Sequence, residues 1–310
     1  MASGDVDFDD RAVASQNPNA PNFLRIDEAH EDFLLSRQAM LVSKATLCFY
    51  RKTSAKFVRW LTEKGIENLV QITSRHVRAY LNEYAEAGRK PNYINCHARA
   101  IKTFLRFCVE EKYLPEMVKF AMPPLSNERL PYLDEKELRT VVEACVSTRA
   151  KAMVVFFVDT GVRLTEFIMM DWGDVDLQAG LALVKRGKGG KSRTVVMGAR
   201  CRRLLMAYRR TVDHDETDPL FQTDEGHRFA DMGIRSFFTR LSAKSGVKVS
   251  PHALRRTFAT LALRAGMNPL HLRGLLGHTT LEMTMRYVQM IDDDLQTAHH
   301  RYGPVDHFLK

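Results

Sequence analysis

Cysteine is scarce in this chain of 310 residues, and long apolar runs are missing. Five widely spaced cysteines occur, with no C-x-x-C pair: Cys48, Cys96, Cys108, Cys145 and Cys201. An odd number at such spacing predicts neither a disulfide framework nor a zinc site, and favours a reducing, intracellular location. The longest apolar run, residues 152–158, is far shorter than the roughly 20 residues that span a bilayer. Residues 1–5 contain acid and no apolar core, so we expect no secretory signal.

Acidic residues are concentrated at the N-terminus and sparse elsewhere. The chain has 46 Lys and Arg against 37 Asp and Glu, a net charge of +9. Residues 1–32 hold two basic and eight acidic side chains, so the remaining 278 residues carry a net +15. A strongly basic body is typical of a protein that binds a polyanion such as nucleic acid. A solvated basic surface is the alternative interpretation.

Apolar periodicity predicts a small helical domain at residues 29–121. The acidic leader, residues 1–28, lacks that periodicity, so we expect it to be disordered. From His30 the apolar residues follow a helical period, with helices starting after Ser43, after Ser74 and after Pro91. Residues 122–132 contain three prolines and are predicted to be a linker.

Residues 133–298 are predicted to form a second domain of mixed structure. Asp134 caps a helix, and a further helical run ends at Gly161. Period-two segments, Leu181–Val184 and Thr194–Met197, flank a Gly- and Lys-rich turn and predict a β-hairpin. The fold class is therefore mainly α with a small antiparallel β-sheet, followed by a tail at residues 299–310.

Several residues in this second region suit phosphate chemistry. His252 and Arg255 lie three apart behind Pro251, near the positive N-terminus of a predicted helix. Arg163 starts a helix against the macrodipole, and Glu166 one turn later can pair with it. Each feature alone is weak evidence, since such residues more often have structural roles.

Their order and spacing together resemble the active site of the tyrosine recombinase (phage integrase) family. The shared motifs are T-G-x-R-x-x-E, a G-K-G-x-K hairpin, H-x-L-R-x-T-F-A, L-L-G-H and a tyrosine nine residues after that histidine. The residues in these motifs are Arg163, Lys188, His252, Arg255, His278 and Tyr287. The resemblance covers about residues 130–300, and residues 30–120 resemble the family's core-binding (SAM-like) domain.

The resemblance implies a reaction without metal, ATP or other cofactor. Tyr287 would attack the scissile phosphodiester and form a 3′-phosphotyrosyl link, while Arg163 and Arg255 hold the non-bridging oxygens. Lys188 would protonate the leaving 5′-oxygen, with Lys185 and Lys191 as alternatives in the same hairpin.

The remaining members of the set have supporting roles in this scheme. His252 would assist proton transfer at the nucleophile, and His278 would hydrogen-bond the phosphate. Glu166 is expected to be a structural support. Many relatives have histidine where this chain has Arg256, and we expect an added phosphate contact there.

The resemblance also implies partners. These are double-stranded DNA with inverted-repeat core sites, gripped in a C-shaped clamp, and a tetramer assembled on two sites. The C-terminal tail would dock on a neighbouring subunit, with folding back on its own subunit as the alternative. Basic residues at helical spacing are the candidates for DNA contact, with two more near the active site: Lys52, Lys56, Arg59, Arg99, Lys102, Arg106, Lys191 and Arg256. No membrane partner is expected, and the implied location is the cytoplasm with the nucleoid.

Two other functions are compatible with the same residues. A type IB topoisomerase shares the chemistry but acts as a monomer without paired sites, and a catalytically silent DNA-binding protein can share the fold. Within the recombinases, the chain is closer to compact Xer-like or mobile-element enzymes than to large two-site integrases. The acidic leader favours a mobile-element integrase or resolvase.

Overall fold

A computed structural model describes residues 24–125, 131–185, 192–211 and 214–288, together with His299 and Val305. The chain divides into two compact units, Met1–Glu128 and Arg129–Lys310. Most of the predicted leader, the lysines Lys188 and Lys191 and most of the predicted tail lie outside the described residues.

The first unit is helical throughout its described part. Its helices are α1 (Ile26–Ala39), α2 (Lys44–Glu63), α3 (Ser74–Glu86) and α4 (Pro91–Glu110), with a 3₁₀ turn at Leu69–Gln71. Helix α1 begins earlier than the predicted start at His30, because the Glu28 carboxylate accepts the backbone N–H of Arg25 at 3.2 Å. The predicted cap of α2 is present, since Ser43 Oγ accepts the Thr46 N–H at 3.1 Å.

Helix α4 is the centre of the first unit and packs against the other three helices. Its predicted apolar stripe is buried from end to end: Ile94, Ala98, Ile101, Leu105 and Cys108. Phe33 of α1 lies 5.5 Å from Phe104 of α4, ring centre to ring centre. This aromatic contact belongs to one continuous core in the unit.

The second unit contains eight helices and a small sheet in its described residues. The helices are α5 (Glu135–Glu143), α6 (Thr148–Thr160), α7 (Leu164–Ile168), α8 (Ala199–Arg209), α9 (Asp231–Ser245), α10 (Pro251–Arg264), α11 (Pro269–Leu276) and α12 (Glu282–Val288). A 3₁₀ turn at Trp172–Asp174 precedes the sheet. The fold class predicted from sequence is confirmed. None of the helices described in either unit is both long and apolar enough to cross a membrane.

The sheet is antiparallel in the order β1 (Val175–Asp176), β2 (Leu181–Val184) and β3 (Arg193–Val196). The predicted hairpin is formed by β2 and β3, whose register pairs Leu181 with Val196 and Val184 with Arg193. Period-two alternation buries one face of each strand against the core. Arg193 therefore stands at the end of β3 nearest the hairpin turn.

Helix α6 is the hub of the second unit because it is apolar on every side. Its residues 152–157 are all buried, and it packs against α5, α8, α10 and β3. Phe157 stacks on Phe167 of α7, with ring centres 4.1 Å apart. This contact holds the short helix α7 against the core.

The C-terminal end of α6 is enclosed tightly. Gly161 ends the helix with a φ of +62°, a conformation that favours glycine. A Cβ at this position would meet the Phe258 ring of α10 and would lie 2.9 Å from Leu276 Cδ2 of α11. Three helices therefore converge where the T-G-x-R motif leaves α6.

We predict that Gly161→Ala destabilises the second unit more than Gly246→Ala does. Both glycines end a helix at positive φ, so both variants incur a backbone cost of about 1–2 kcal/mol. Only the Gly161 variant also forces atoms into Phe258 and Leu276, which adds about 1–3 kcal/mol of overpacking. Thermal and denaturant unfolding measure the difference. Equal losses in the two variants would contradict the close packing at Gly161.

Candidate active site

Three arginines, one glutamate and one histidine meet at the end of α6. They come from the start of α7, the start of β3, helix α10 and the turn between α11 and α12: Arg163, Glu166, Arg193, Arg255 and His278. We call these five residues the arginine cluster. The convergence of three helices at Gly161 brings these distant segments together.

Glu166 is the anion at the centre of the cluster. Its carboxylate is 2% exposed and accepts the Arg163 backbone N–H and guanidinium, each at 2.8 Å. The same two oxygens accept two nitrogens of Arg193 at 2.8 and 2.7 Å. Burial by itself would raise the pKa of Glu166, but the hydrogen bonds and charges of the two arginines outweigh it and lower the pKa to about 2. The carboxylate is therefore ionised at neutral pH.

Arg163 is held at the N-cap of α7 in the extended conformation. Its guanidinium bonds the Glu166 carboxylate through one terminal nitrogen and the Gly277 carbonyl through the other, at 3.2 Å. The ion pair expected from sequence between Arg163 and Glu166 is present. The Gly277 contact ties α7 to the turn that carries His278.

Arg255 is almost fully buried, with 5% of its surface exposed. It donates to the Gly161 carbonyl at 2.6 Å and to the Leu276 carbonyl at 2.8 Å. These carbonyls lie at the C-terminal ends of α6 and α11, where helices leave acceptors unpaired and carry partial negative charge. Burial, followed by repulsion from Arg163, lowers the pKa of Arg255 to about 10, so it remains a cation near pH 7.

His278 is buried and neutral near pH 7. Its Nδ1 shares a hydrogen bond of 2.9 Å with Thr284 Oγ1. Burial, and then the charges of Arg255, Arg163 and Arg193, lower the pKa of His278 to about 4. A neutral imidazole in this position can hydrogen-bond a phosphate oxygen without adding charge.

Tyr287 lies on α12 beside the arginine cluster. Its ring is nearly parallel to that of His278, with centres 6.0 Å apart. The side chain is half-buried and packs against a small apolar group formed by Ala259, Leu272 and Leu276. The two arginines of α10, Arg255 and Arg256, are both within electrostatic reach of its phenol. The arrangement brings a tyrosine hydroxyl and the cations together.

His252 occupies the first turn of α10, behind the cap formed by Ser250 Oγ and the Ala253 N–H. The residue is exposed. Its pKa is lowered, first by desolvation from its neighbours and then by surrounding arginines, of which Arg256 and Arg255 act most strongly. His252 is therefore neutral near pH 7 and able to accept a proton.

Of the three hairpin lysines, only Lys185 is among the described residues. Its Nζ lies 2.5 Å from Asp174 Oδ1 and 3.9 Å from an oxygen of Asp171. The hydrogen bond to Asp174 raises the pKa of Lys185, which makes its proton harder to release. This pairing argues against Lys185 as a proton donor. The role of Lys188 or Lys191 stays a prediction.

The predicted DNA-contact residues that the structure describes divide into two groups. Those on α2 and α4 are all exposed: Lys52, Lys56, Arg59, Arg99, Lys102 and Arg106. Lys56 also donates to the Tyr93 hydroxyl at 3.3 Å. Arg256 differs, because it is half-buried near Tyr287 and its Nε is a buried donor without a hydrogen-bond partner among the described residues.

Arg193 is the member of the cluster that sequence reasoning missed. It belongs to none of the motifs that resemble the tyrosine recombinase family, and its partners, Glu166 and Leu275, lie far away along the chain. The available signal was its place at the base of the hairpin, directly after the lysine-rich turn. Within the described ranges, no group of three or more His, Cys, Asp or Glu is arranged to hold a metal.

Comparison with known proteins gives two family matches. Residues 131–293 match the phage integrase family, and residues 31–112 match the phage integrase N-terminal SAM-like domain. Each match falls within one of the two compact units.

Individual relatives agree with these matches. A tyrosine recombinase XerC of Bacillus licheniformis is 30% identical over 281 residues, covering 86% of this chain and 92% of the relative. The crystal structure of XerA recombinase is 27% identical and covers 89% of this chain and 98% of its own, with a TM-score of 0.51. A lambda integrase tetramer bound to a Holliday junction shares the fold, with a TM-score of 0.72 at 18% identity over 86% of this chain and 78% of its own.

We predict that protonation linked to His278 destabilises the fold as the pH falls. The folded pKa is about 4 against an ordinary value of 6.5, so the unfolded state binds the proton first. Stability should therefore fall between about pH 6.5 and pH 4, by up to about 3 kcal/mol from this residue. Thermal unfolding from pH 7.5 to 4.5 should show a weaker pH dependence for His278→Asn than for the wild type.

The exposed His271 of α11 provides the matched control for this experiment. His271→Asn should keep the wild-type pH dependence, and the other histidines contribute equally to all three proteins. Parallel pH curves for wild type and His278→Asn would show that His278 is not held neutral by the cluster.

Proposed function

The chain belongs to the phage integrase family of tyrosine recombinases, which are site-specific recombinases, and from that premise we propose that it cuts and rejoins DNA through Tyr287. The observation that supports this most directly is the position of Tyr287. Its ring stacks on His278 within electrostatic reach of the buried cation Arg255. Nearby cations stabilise the negative charge that develops when the phenol oxygen attacks phosphorus.

In the proposed first step, Tyr287 Oη bonds to the scissile phosphorus and the bond from phosphorus to the 5′-oxygen breaks. The phenolic proton passes to a neighbouring base, for which His252 is the candidate because it is neutral and exposed. Lys188 gives a proton to the leaving 5′-oxygen. The bond energy is kept in the 3′-phosphotyrosyl link, and attack by a 5′-hydroxyl of another strand reverses the step without ATP.

Arg163 and Arg255 are proposed to bind the non-bridging oxygens as negative charge grows on them. Their contacts to Glu166 and to backbone carbonyls hold both guanidinium groups before DNA arrives, so little reorganisation is needed during the reaction. His278 adds a neutral hydrogen bond to the same phosphate. Arg256 is half-buried near Tyr287 and is proposed to help hold the phosphate or the phenolate there.

The proposed substrate is double-stranded DNA with inverted-repeat core sites. The exposed lysines and arginines on α2 and α4 supply charge for phosphate contacts in the first unit. A relative with the same fold is a tetramer on a Holliday junction, and we propose the same assembly here, with the tail from residue 299 contacting a neighbouring subunit. The proposed work is integration, excision or resolution of a DNA element at the nucleoid.

We predict that Tyr287→Phe abolishes covalent attachment to DNA while leaving DNA binding intact. The change removes only the nucleophilic oxygen from a half-buried ring whose apolar contacts remain. The assay uses a nicked suicide duplex built from inverted repeats in the DNA flanking the gene, with the covalent complex resolved on a denaturing gel. Tyr132→Phe, a second half-buried tyrosine of the same unit, should form the complex at the wild-type rate. If the Tyr287→Phe variant formed the covalent complex, Tyr287 would not be the nucleophile.

The same preparation separates recombination from topoisomerase action. A plasmid carrying two copies of the repeat should give deletion or inversion products that depend on both copies. Relaxation of supercoiled plasmids without the repeat, and no recombinant product, would instead support a type IB topoisomerase. Binding without any covalent complex would support a silent DNA-binding protein.

A further inference from the structure

All three guanidinium nitrogens of Arg193 make hydrogen bonds within the protein. Two of its nitrogens bond the two oxygens of Glu166 at 2.8 and 2.7 Å, and Nε donates to the Leu275 carbonyl at 2.8 Å. The side chain is 12% exposed. Each of the three guanidinium nitrogens therefore has a protein partner, whereas Arg163 is the more exposed partner of the same carboxylate. The contacts of Arg193 are therefore with other parts of the protein, which leaves its guanidinium unsuited to binding a ligand.

The geometry makes Arg193 the main counter-charge of Glu166. A guanidinium that meets both oxygens of a carboxylate forms a charge-assisted, forked pair, the strongest arrangement of this kind. Arg163 meets only one oxygen with its side chain. If Arg193 were absent, Arg163 would be the remaining close cation of a carboxylate that is 2% exposed. The positive charge of Arg163 would then neutralise Glu166 and would no longer be available to a phosphate.

The charges of the cluster add to two positive units when Arg193 is counted. Arg163, Arg193 and Arg255 are cations, Glu166 is an anion, and His278 is neutral near pH 7. A phosphodiester carries one negative charge, and its non-bridging oxygens gain more as the phosphorane forms. Removing Arg193 would halve the net positive charge that faces this growing anion.

Arg193 also packs beneath the turn that carries His278. Gly277 has a φ of +63°, and a Cβ there would lie 2.9 Å from Arg193 Cδ and 3.1 Å from Arg193 Nε. The turn can close on Arg193 only because residue 277 lacks a side chain. The same arginine thus positions the Gly277 carbonyl, which binds Arg163.

We propose that Arg193 is a positioning residue that neutralises Glu166, so that Arg163 keeps its full charge and its direction for the scissile phosphate. Arg193 itself touches no substrate. The inference rests on the proposed function, because it assigns a purpose to Arg163 that only phosphate chemistry requires.

The test is a double-mutant cycle between Arg193→Gln and Glu166→Gln. Single-turnover formation of the covalent complex is measured at saturating DNA on the nicked suicide duplex that the wild type cleaves. Arg193→Gln should lower the rate by about 100-fold, the range seen when a transition-state charge contact is lost, with DNA affinity changed less than about 3-fold. In the Glu166→Gln background the same change should cost less than about 3-fold, because no carboxylate remains to capture Arg163.

Two further variants keep the test clear of folding effects. Arg193→Lys retains the charge but loses the fork, so it should recover at least about 10-fold of the rate lost in Arg193→Gln. Arg202 of α8 is the matched control, because among the described residues the one hydrogen bond of its side chain goes to the Gln178 backbone carbonyl, at 3.0 Å. The Arg202→Gln variant should cleave as the wild type does. Thermal unfolding of each variant identifies any that are not folded at the assay temperature.

Three outcomes would overturn the inference. They are wild-type cleavage by Arg193→Gln, equal losses in the two backgrounds, and no recovery in a folded Arg193→Lys. Equal losses would mean that Arg193 acts through its contacts with the Leu275 carbonyl and the Gly277 turn, and not through Glu166. If the wild type forms no complex that depends on Tyr287, the proposed function fails before the cycle can be run, so the two failures are distinguishable.

Discussion

The buried carboxylate of Glu166 is the interaction on which the rest of the site depends. An ionised group with 2% exposure is costly unless it is paired and fully hydrogen-bonded, and here two arginines and one backbone N–H supply those bonds. Satisfying this one anion requires the start of α7 and the start of β3 to meet. The strand and the helix are separated along the chain, so the ion network also determines how the hairpin base is placed.

The second constraint is the mutual repulsion of three arginines in a small volume. The structure offsets it with partial negative charges at helix C-termini, since Arg255 bonds the carbonyls that end α6 and α11. Keeping His278 and His252 neutral avoids adding to the repulsion. The cationic site is thus assembled before DNA is present, and the free energy of folding covers the cost of bringing like charges together.

Local sequence signals located most of the elements around this site. The cap at Ser43, the cap at Asp134 and the proline at 251 each placed a helix start where the structure has one. The hairpin was predicted within one residue, because period-two burial is a local pattern. The start of α1 was missed, since its cap is a Glu28 carboxylate reaching back to Arg25 and not a short polar side chain at the cap itself. The sequence also predicts Arg256 as a DNA contact. It does not predict that the Arg256 side chain is half-buried near Tyr287, because that depends on how α10 and α12 pack.

The sequence by itself determined the family of this protein and its candidate catalytic residues: a tyrosine, two arginines and two histidines at spacings that resemble one family, on a basic chain. Those residues are identifiable because their motifs are local and each needs only its neighbours in the chain. Only the tertiary structure decided how their charges are balanced. Arg193 bonds Glu166, 27 residues away along the chain, and Leu275, 82 residues away. Contacts over such separations arise from packing around Gly161 and Gly277, not from any pattern along the chain.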